Sequence, residues 1–355
     1  NLVIDDISFV DSTGTNLNSH IPGCSDRSTR EAVEFPASCK DNDAIVAIAL
    51  GSETGVTTCA AAKAYGTCSL VPDLAAAACP VTCKAGCGAT RVAAPPKQLV
   101  ATGERHTCVI ADCGGLKCWG NNEQGRLGYG HTTKLLSPPD AFVDLGVNRT
   151  AVEVATGESH TCAILDDGGL KCWGYNGYGQ LGYGHTSDRQ APPAEVVDLG
   201  PGRTAAQVCA GYLYTCVLLD DGGLKCFGYN GYGQLGNGGT SNTNRPLGTP
   251  DFGLGRVAVQ VSCGQNHACA LADNGDLRCW GNNNYGQLGY GDNTQRKVPS
   301  ATAVDLGTNR SAVFVSAGYE HTCAILDDGS LTCWGNNAQG RLGYGDATNR
   351  NAPPA

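Results

Sequence analysis

Residues 160–184 read HTCAILDDGGLKCWGYNGYGQLGYG. A near copy starts at His321, HTCAILDDGSLTCWGNNAQGRLGYG, and looser copies start at His106, Tyr214 and His267. Each copy holds two cysteines ten positions apart: Cys108/Cys118, Cys162/Cys172, Cys216/Cys226, Cys269/Cys279 and Cys323/Cys333. Their first members follow one another at 54, 54, 53 and 54 residues. A period near this size marks a solenoid or a propeller, because so short a unit cannot bury its apolar face alone and must stack on its neighbours.

One unit shows what is stacked. AVEVATG (151–157) is short and apolar, a first strand. HTCAIL and LKCWG flank a glycine-containing turn and form a hairpin. GYGQLGYG is a glycine-rich loop, and EVVDLG (195–200) reads as a fourth strand. No helical periodicity intervenes. The expected fold class is therefore all-β, a β-propeller of five four-stranded repeats. If Asp166, Asp167 and Gly168 make a three-residue turn with Gly168 left-handed, Leu165 meets Gly169. Cys162 then lies directly opposite Cys172, close to the separation a disulfide needs. Trp173, one residue on, points to the other side of its sheet. One sheet can thus offer a tryptophan where its neighbour offers a disulfide.

The chain has 355 residues, room for one large domain or two ordinary ones. Its 50 glycines are about twice the usual share (~7%) and recur at fixed places, so they mark turns. Twenty cysteines without zinc-type CxxC spacing point to a disulfide framework and an oxidising compartment. No apolar run has the length of a membrane span. A net charge of −9 argues against nucleic acid, whose phosphates need a basic surface. The chain starts at Asn1 and contains no methionine, as expected of a secreted chain whose signal has been removed, and equally of an incomplete sequence.

The segments CWGYNGYGQLGYG, CWGNNNYGQLGYG and CWGNNAQGRLGYG resemble the repeat of the regulator of chromosome condensation family, over roughly residues 92–355. The resemblance implies a propeller and says little about function, since the family includes a nuclear nucleotide-exchange factor, a plant UV-B photoreceptor and a secreted β-lactamase inhibitor. This sequence departs from it twice. Founding members have seven blades where five are counted here, and the paired cysteines are foreign to the intracellular members. Ahead of the repeats, residues 1–38 read as an extension and 39–91 as a cysteine-rich module. In that module CAAAKAYGTC and CPVTC resemble the six-cysteine ShK toxin-like fold. The gap between Cys39 and Cys59 is longer than usual there, and three residues separate Cys83 from Cys87. The resemblance implies the pairs Cys39–Cys87, Cys59–Cys79 and Cys68–Cys83. Lys63 and Tyr65 match the toxin's channel-blocking pair in type only, and no channel activity is carried over.

Four cysteines remain. Cys209 and Cys263 stand on the first strands of consecutive units, which approach each other near a propeller axis, so a bond between them is expected. Cys24 and Cys113 are then left to tether the front end to the first hairpin.

Other motifs have plainer explanations than their sharpest ones. GYGQLG at 177–182 and 231–236 fits the dinucleotide-binding pattern, but no helix follows to hold a pyrophosphate. His106, His160, His267 and His321 share one repeat position and could ring a metal, yet Tyr214 interrupts them, and a bond to a neighbouring backbone suits them better. The Asp doublets 166/167, 220/221 and 327/328 sit in tight turns that offer calcium too few oxygens. Trp119, Trp173, Trp280 and Trp334, with Phe227 in the third unit, occur once per unit as packing residues, unlike the clustered tryptophans of light sensing. No nucleophile elbow, zinc-protease helix or spare cysteine suggests catalysis, so neither cofactor nor enzyme activity is expected. Asn148 and Asn309 open the sequons Asn-Arg-Thr and Asn-Arg-Ser at one repeat position and are expected to carry N-linked glycans.

Two functions are compatible with these features. The first is a secreted structural subunit of an extracellular coat or filament, its partners being other copies of itself. The fifth unit stops before a VDLG-type strand, and NLVIDDISF (1–9) resembles the missing strand, so strand addition within or between molecules is expected. The alternative is a secreted binding module, an inhibitor or adhesin, that meets a protein or glycan with one propeller face.

Overall fold

The computed structural model describes residues 97–248 and 256–354. The ShK-like module with its three cysteine pairs, Cys24, the N-terminal strand and PDFGLG (250–255) lie outside the described residues. The chain divides into two compact units between Ala93 and Ala94, and everything below belongs to the second unit.

Five antiparallel sheets follow one another along the chain. The first holds β1 (Val100–Thr102), β2 (His106–Ile110) and β3 (Leu116–Gly120). The second holds β4 (Ala151–Thr156), β5 (His160–Leu165) and β6 (Leu170–Gly174). The third holds β7 (Ala205–Ala210), β8 (Tyr214–Leu219), β9 (Leu224–Gly228) and β10 (Thr243–Leu247). The fourth holds β11 (Ala258–Cys263), β12 (His267–Ala272) and β13 (Leu277–Gly281), and the fifth β14 (Ala312–Ala317), β15 (His321–Leu326) and β16 (Leu331–Gly335).

Each hairpin has the register its turn dictates. In the second sheet Leu165 N donates to Gly169 O at 2.8 Å, and Gly168 takes φ +79°, which a side chain would resist. Counting outward puts Cys162 opposite Cys172. Alternation makes this a non-hydrogen-bonded site, where backbones approach most closely. The pair is disulfide-bonded with Cα atoms 4.1 Å apart, and the same bond joins Cys108–Cys118, Cys216–Cys226, Cys269–Cys279 and Cys323–Cys333.

Among the described residues, four strands per repeat is corrected to three, with a fourth in the third sheet alone. EVVDLG is no strand. Val197 N donates once, to Leu170 O, while Val197 and Leu199 bury their side chains. AFVDLG and TAVDLG do the same through Val143 and Val304. The outer position is instead touched by isolated bridges, Gly120 to Leu135, Gly174 to Arg189, Gly281 to Arg296 and Gly335 to Arg350.

A tyrosine explains why a full outer strand is not needed. Cys172 N points away from β5, and it donates to the Tyr183 hydroxyl at 3.0 Å. Tyr129, Tyr290 and Tyr344 serve Cys118, Cys279 and Cys333 in the same way. The third unit has Asn237 at the tyrosine position, and there β10 pairs with β9 at Cys226. Its fourth strand replaces the missing phenol.

The core lies between sheets. Cys108, Ile110, Leu116 and Cys118 of the first sheet pack on Val154, Ala163 and Trp173 of the second. The disulfide of the second meets Phe227 of the third, and that of the third meets Trp280 of the fourth. Gly182, at φ +82°, lies so close to the Phe227 ring that a Cβ there would come within 2.8 Å of it. A hydrogen-bonded chain accompanies the apolar packing. His160 Nε2 meets Thr215 Oγ1 at 2.9 Å, and Thr215 donates to Gln180 O. Trp173 Nε1 donates to Arg126 O, as does the Thr161 hydroxyl, which also meets His106 Nε2.

Candidate functional site

The residues singled out by sequence are mostly consumed by this framework. His106, His160 and His267 each turn Nε2 to the threonine hydroxyl of the next sheet rather than to a neighbouring backbone. That hydroxyl spends its own proton on a carbonyl, so the histidine must donate and is the Nε2–H tautomer. Burial holds all three well below the usual imidazole range, at about 3. Tyr214 does the same work differently, donating to Gly264 O and His267 O across the junction. Its neighbour in the next sheet is Ala268 where the other sheets have threonine, so the two departures compensate.

The Asp doublets are held by an arginine of the loop that leads into the first strand of the same unit. Arg149 reaches Asp166 and Asp167 at 3.6 and 2.8 Å, Arg203 reaches Asp220 and Asp221, and Arg310 reaches Asp327 and Asp328. Arg149 and Arg310 are the central residues of the two sequons. Asn148 and Asn309 are exposed, both at φ 57°. Trp173, Trp280 and Trp334 are buried and bond preceding backbone carbonyls, while Trp119 is half-buried. Cys209 and Cys263 form a disulfide between β7 and β11, Cα atoms 5.6 Å apart. Cys113 is disulfide-bonded too, and Cys24, the partner expected for it, lies outside the described residues.

Sequence reading passed over a buried asparagine in every unit. Asn122, Asn176, Asn230, Asn283 and Asn337 are fully buried. Asn176 donates to His185 O and Ser187 O and accepts from Leu181 N, which fixes the glycine-rich loop. Its signal was its recurrence four residues after the second cysteine.

The residues left over gather at one end of the strands. There the turn before each second strand is zipped to the residue after the third: Tyr175 N donates to Ser159 O and Tyr229 N to Leu213 O. Successive turns are linked as well, Glu158 N to Tyr212 O, Tyr212 N to Gln265 O and Gln265 N to Tyr319 O. On this platform Tyr175, Tyr178, Tyr229 and Tyr232 form an edge-to-face row with centroids 6.2, 5.2 and 6.4 Å apart. Glu104, Glu158 and Glu320 bring negative charge to it, and the Tyr319 phenol is raised by desolvation first and then by these three carboxylates. Tyr212 is pushed up to about 12, by desolvation first and then by its hydrogen bond to Glu158. Beside Tyr178 a cavity of about 300 Å³ is lined by Gly177, Thr186, Asn242, Thr243, Asn244 and Arg245. The Thr243 hydroxyl is buried without a partner. Hairpin turns and sequons occupy the opposite end of the strands.

The repeat geometry agrees with sequence comparison, in which the RCC1-like domain model matches residues 80–355. The chain belongs to the RCC1-like family. It is 33% identical over 258 residues to the ultraviolet-B receptor UVR8 of Arabidopsis thaliana, covering 72% of this chain and 57% of that one. It is 29% identical to the human E3 ubiquitin-protein ligase HERC2 over the same share of this chain, but only 5% of that protein. Among solved structures, human WBSCR16 matches with a TM-score of 0.64 at 26% identity, over 72% of this chain and 65% of that one. Yeast RCC1 (Prp20) bound to Kap60 matches with a TM-score of 0.59 at 18% identity, over 72% and 59%, a likeness of fold. This RCC1-like chain therefore spans little more than half to two thirds of these propeller relatives, and a small part of the ligase.

Proposed function

We propose that this RCC1-like chain is a secreted, non-enzymatic recognition module that binds a glycan through its tyrosine end. The observation that carries the reading is the row Tyr175–Tyr178–Tyr229–Tyr232 next to a cavity rich in amide and hydroxyl groups. Tyrosine faces stack on the C–H surface of a sugar while their hydroxyls hydrogen-bond. Asn242, Asn244 and Thr186 offer the donors and acceptors that a polyhydroxylated ligand matches. The cysteine clips and the sequons at Asn148 and Asn309 support an extracellular setting.

The test is binding of the full chain to an array of extracellular glycans, followed by titration of the best binder. Tyr178→Ala is expected to weaken that binding about tenfold or more without changing thermal stability. Full affinity in Tyr178→Ala, or no glycan bound at all, rejects the reading. A second reading, a structural subunit of a coat or filament, comes from the sequence. Its support in the sequence, a missing outer strand, is weaker now that the outer element is a bridge in four of five sheets.

A further inference from the structure

The tyrosine row departs from the repeat twice, in the same way each time. Three residues after the second cysteine, the first, fourth and fifth units carry Asn121, Asn282 and Asn336. Each accepts from the backbone N–H two residues on. The second and third units carry Tyr175 and Tyr229 at that place. A Cβ on Gly177 or Gly231, two residues on, would run into the Tyr175 or Tyr229 phenol. The other units have Glu123, Asn284 and Ala338 there. Tyrosine and glycine therefore occur as a matched pair, in place of a turn that the framework forms without them.

A second loop position completes the pattern. Six residues after the second cysteine the units carry Gln124, Tyr178, Tyr232, Tyr285 and Gln339. Tyr178 meets Tyr229 of the following unit. By the same spacing, Gln124 is matched with Tyr175, Tyr232 with Asn282 and Tyr285 with Asn336. Among the described residues, the junction between the second and third sheets is thus the one that sets tyrosine against tyrosine. The two rings cross at 66° with centroids 5.2 Å apart, the shortest of the three contacts in the row. Both are half-buried, and neither is sealed from solvent. Tyr285 is half-buried too, but it makes no ring contact among the described residues.

We infer that Tyr178 and Tyr229 are a site of oxidative cross-linking, joined ring carbon to ring carbon as a dityrosine that ties the second sheet to the third. The co-reactant is hydrogen peroxide activated by a haem peroxidase. Each phenol gives up one electron and its hydroxyl proton, which leaves two phenoxyl radicals. Their unpaired density is shared with the carbons ortho to oxygen, and one C–C bond forms between two of these. Each ortho hydrogen then moves to its own oxygen, restoring both rings and both hydroxyls. The two electrons and two protons reduce the peroxide to water. The fold holds the two rings in contact, so coupling within one chain outruns coupling between chains. The bond gives this junction the covalent tie that Cys209–Cys263 gives the next. The inference stands on ring geometry and not on glycan recognition, so either can fail alone.

The test is oxidation of the full chain, kept dilute, with hydrogen peroxide and a haem peroxidase, followed by mass-spectrometric peptide mapping. The expected product is Tyr178 joined to Tyr229, lighter by two hydrogens, with dityrosine fluorescence and no dimer on a denaturing gel. Tyr178→Phe and Tyr229→Phe keep the ring and remove the phenol, and each should cut the dityrosine yield about tenfold or more. Tyr285→Phe should leave the yield unchanged. Dityrosine that maps to other tyrosines, that joins separate chains or that persists in Tyr178→Phe overturns the inference. So does a wild type that forms none.

Discussion

At positions 207 and 260 a glutamine reaches across the junction and accepts from the next first strand, Gln207 from Val261 N at 2.8 Å and Gln260 from Val315 N at 3.0 Å. Glu153 makes the same bond to Val208 N at 3.0 Å with a carboxylate. Burial is the main cause that pushes it up to about 7 from 4.5, against the opposing pull of the Val208 amide and Lys97. The folded chain therefore keeps a proton that the unfolded chain releases between pH 4.5 and 7. Stability from this residue is greatest below that window and is lost as pH rises through it, by up to about 3 kcal/mol. Glu153→Gln should be close to neutral at pH 5 and more stable than wild type by about 1–3 kcal/mol at pH 8, read from urea unfolding at both. An equal effect at the two pH values contradicts a buried, protonated Glu153. The Tyr214–Ala268 exchange is testable in the same way. Tyr214→His strands an imidazole against Ala268, and Ala268→Thr crowds Tyr214, so each should cost about 1–3 kcal/mol. The double variant recreates the His–Thr pair of the other junctions and should recover at least about 1 kcal/mol relative to the sum.

At the scale of elements, each third strand has an outer edge that must be satisfied. The Tyr183 hydroxyl accepts from Cys172 N, and β10 takes over where Asn237 replaces the tyrosine. Tyr183→Phe leaves a buried amide without a partner and should cost about 1–3 kcal/mol in chemical denaturation. The same substitution at an exposed ring such as Tyr319 should cost much less. The hairpins were legible in sequence because a three-residue turn sets their register, and Cys162 opposite Cys172 follows by counting. The outer element was not legible. EVVDLG has the alternation of a strand, but its backbone makes a single bond to Leu170 while Val197 and Leu199 pack inward. The histidines were placed correctly as structural, with the wrong partner. Their threonines stand 55 residues away, on another sheet, where no local pattern points. The tyrosine row escaped notice for the same reason, since Tyr178 meets Tyr229 only because two units stack.

At the scale of the molecule, the junction histidines make acid a common threat to three of the four boundaries between sheets, the one held by Tyr214 being the exception. His106, His160 and His267 are held at about 3, and burial is the leading cause for each. The unfolded chain takes up their protons near pH 6.5 and the folded chain does not. Their contribution is whole above that value and is lost as pH falls from 6.5 toward 3. The thermal midpoint should fall below about pH 6, with a slope reduced in His160→Gln. The disulfide framework, one clip in each sheet and one further bond from β7 to β11, is what the proposed extracellular setting rests on. It is tested most directly by mass-spectrometric mapping of protein from its native source, digested without reduction after free thiols are blocked. Linked peptides are expected for Cys108–Cys118, Cys162–Cys172, Cys216–Cys226, Cys269–Cys279, Cys323–Cys333 and Cys209–Cys263. Blocked free thiols at two or more of the five hairpin pairs would contradict it.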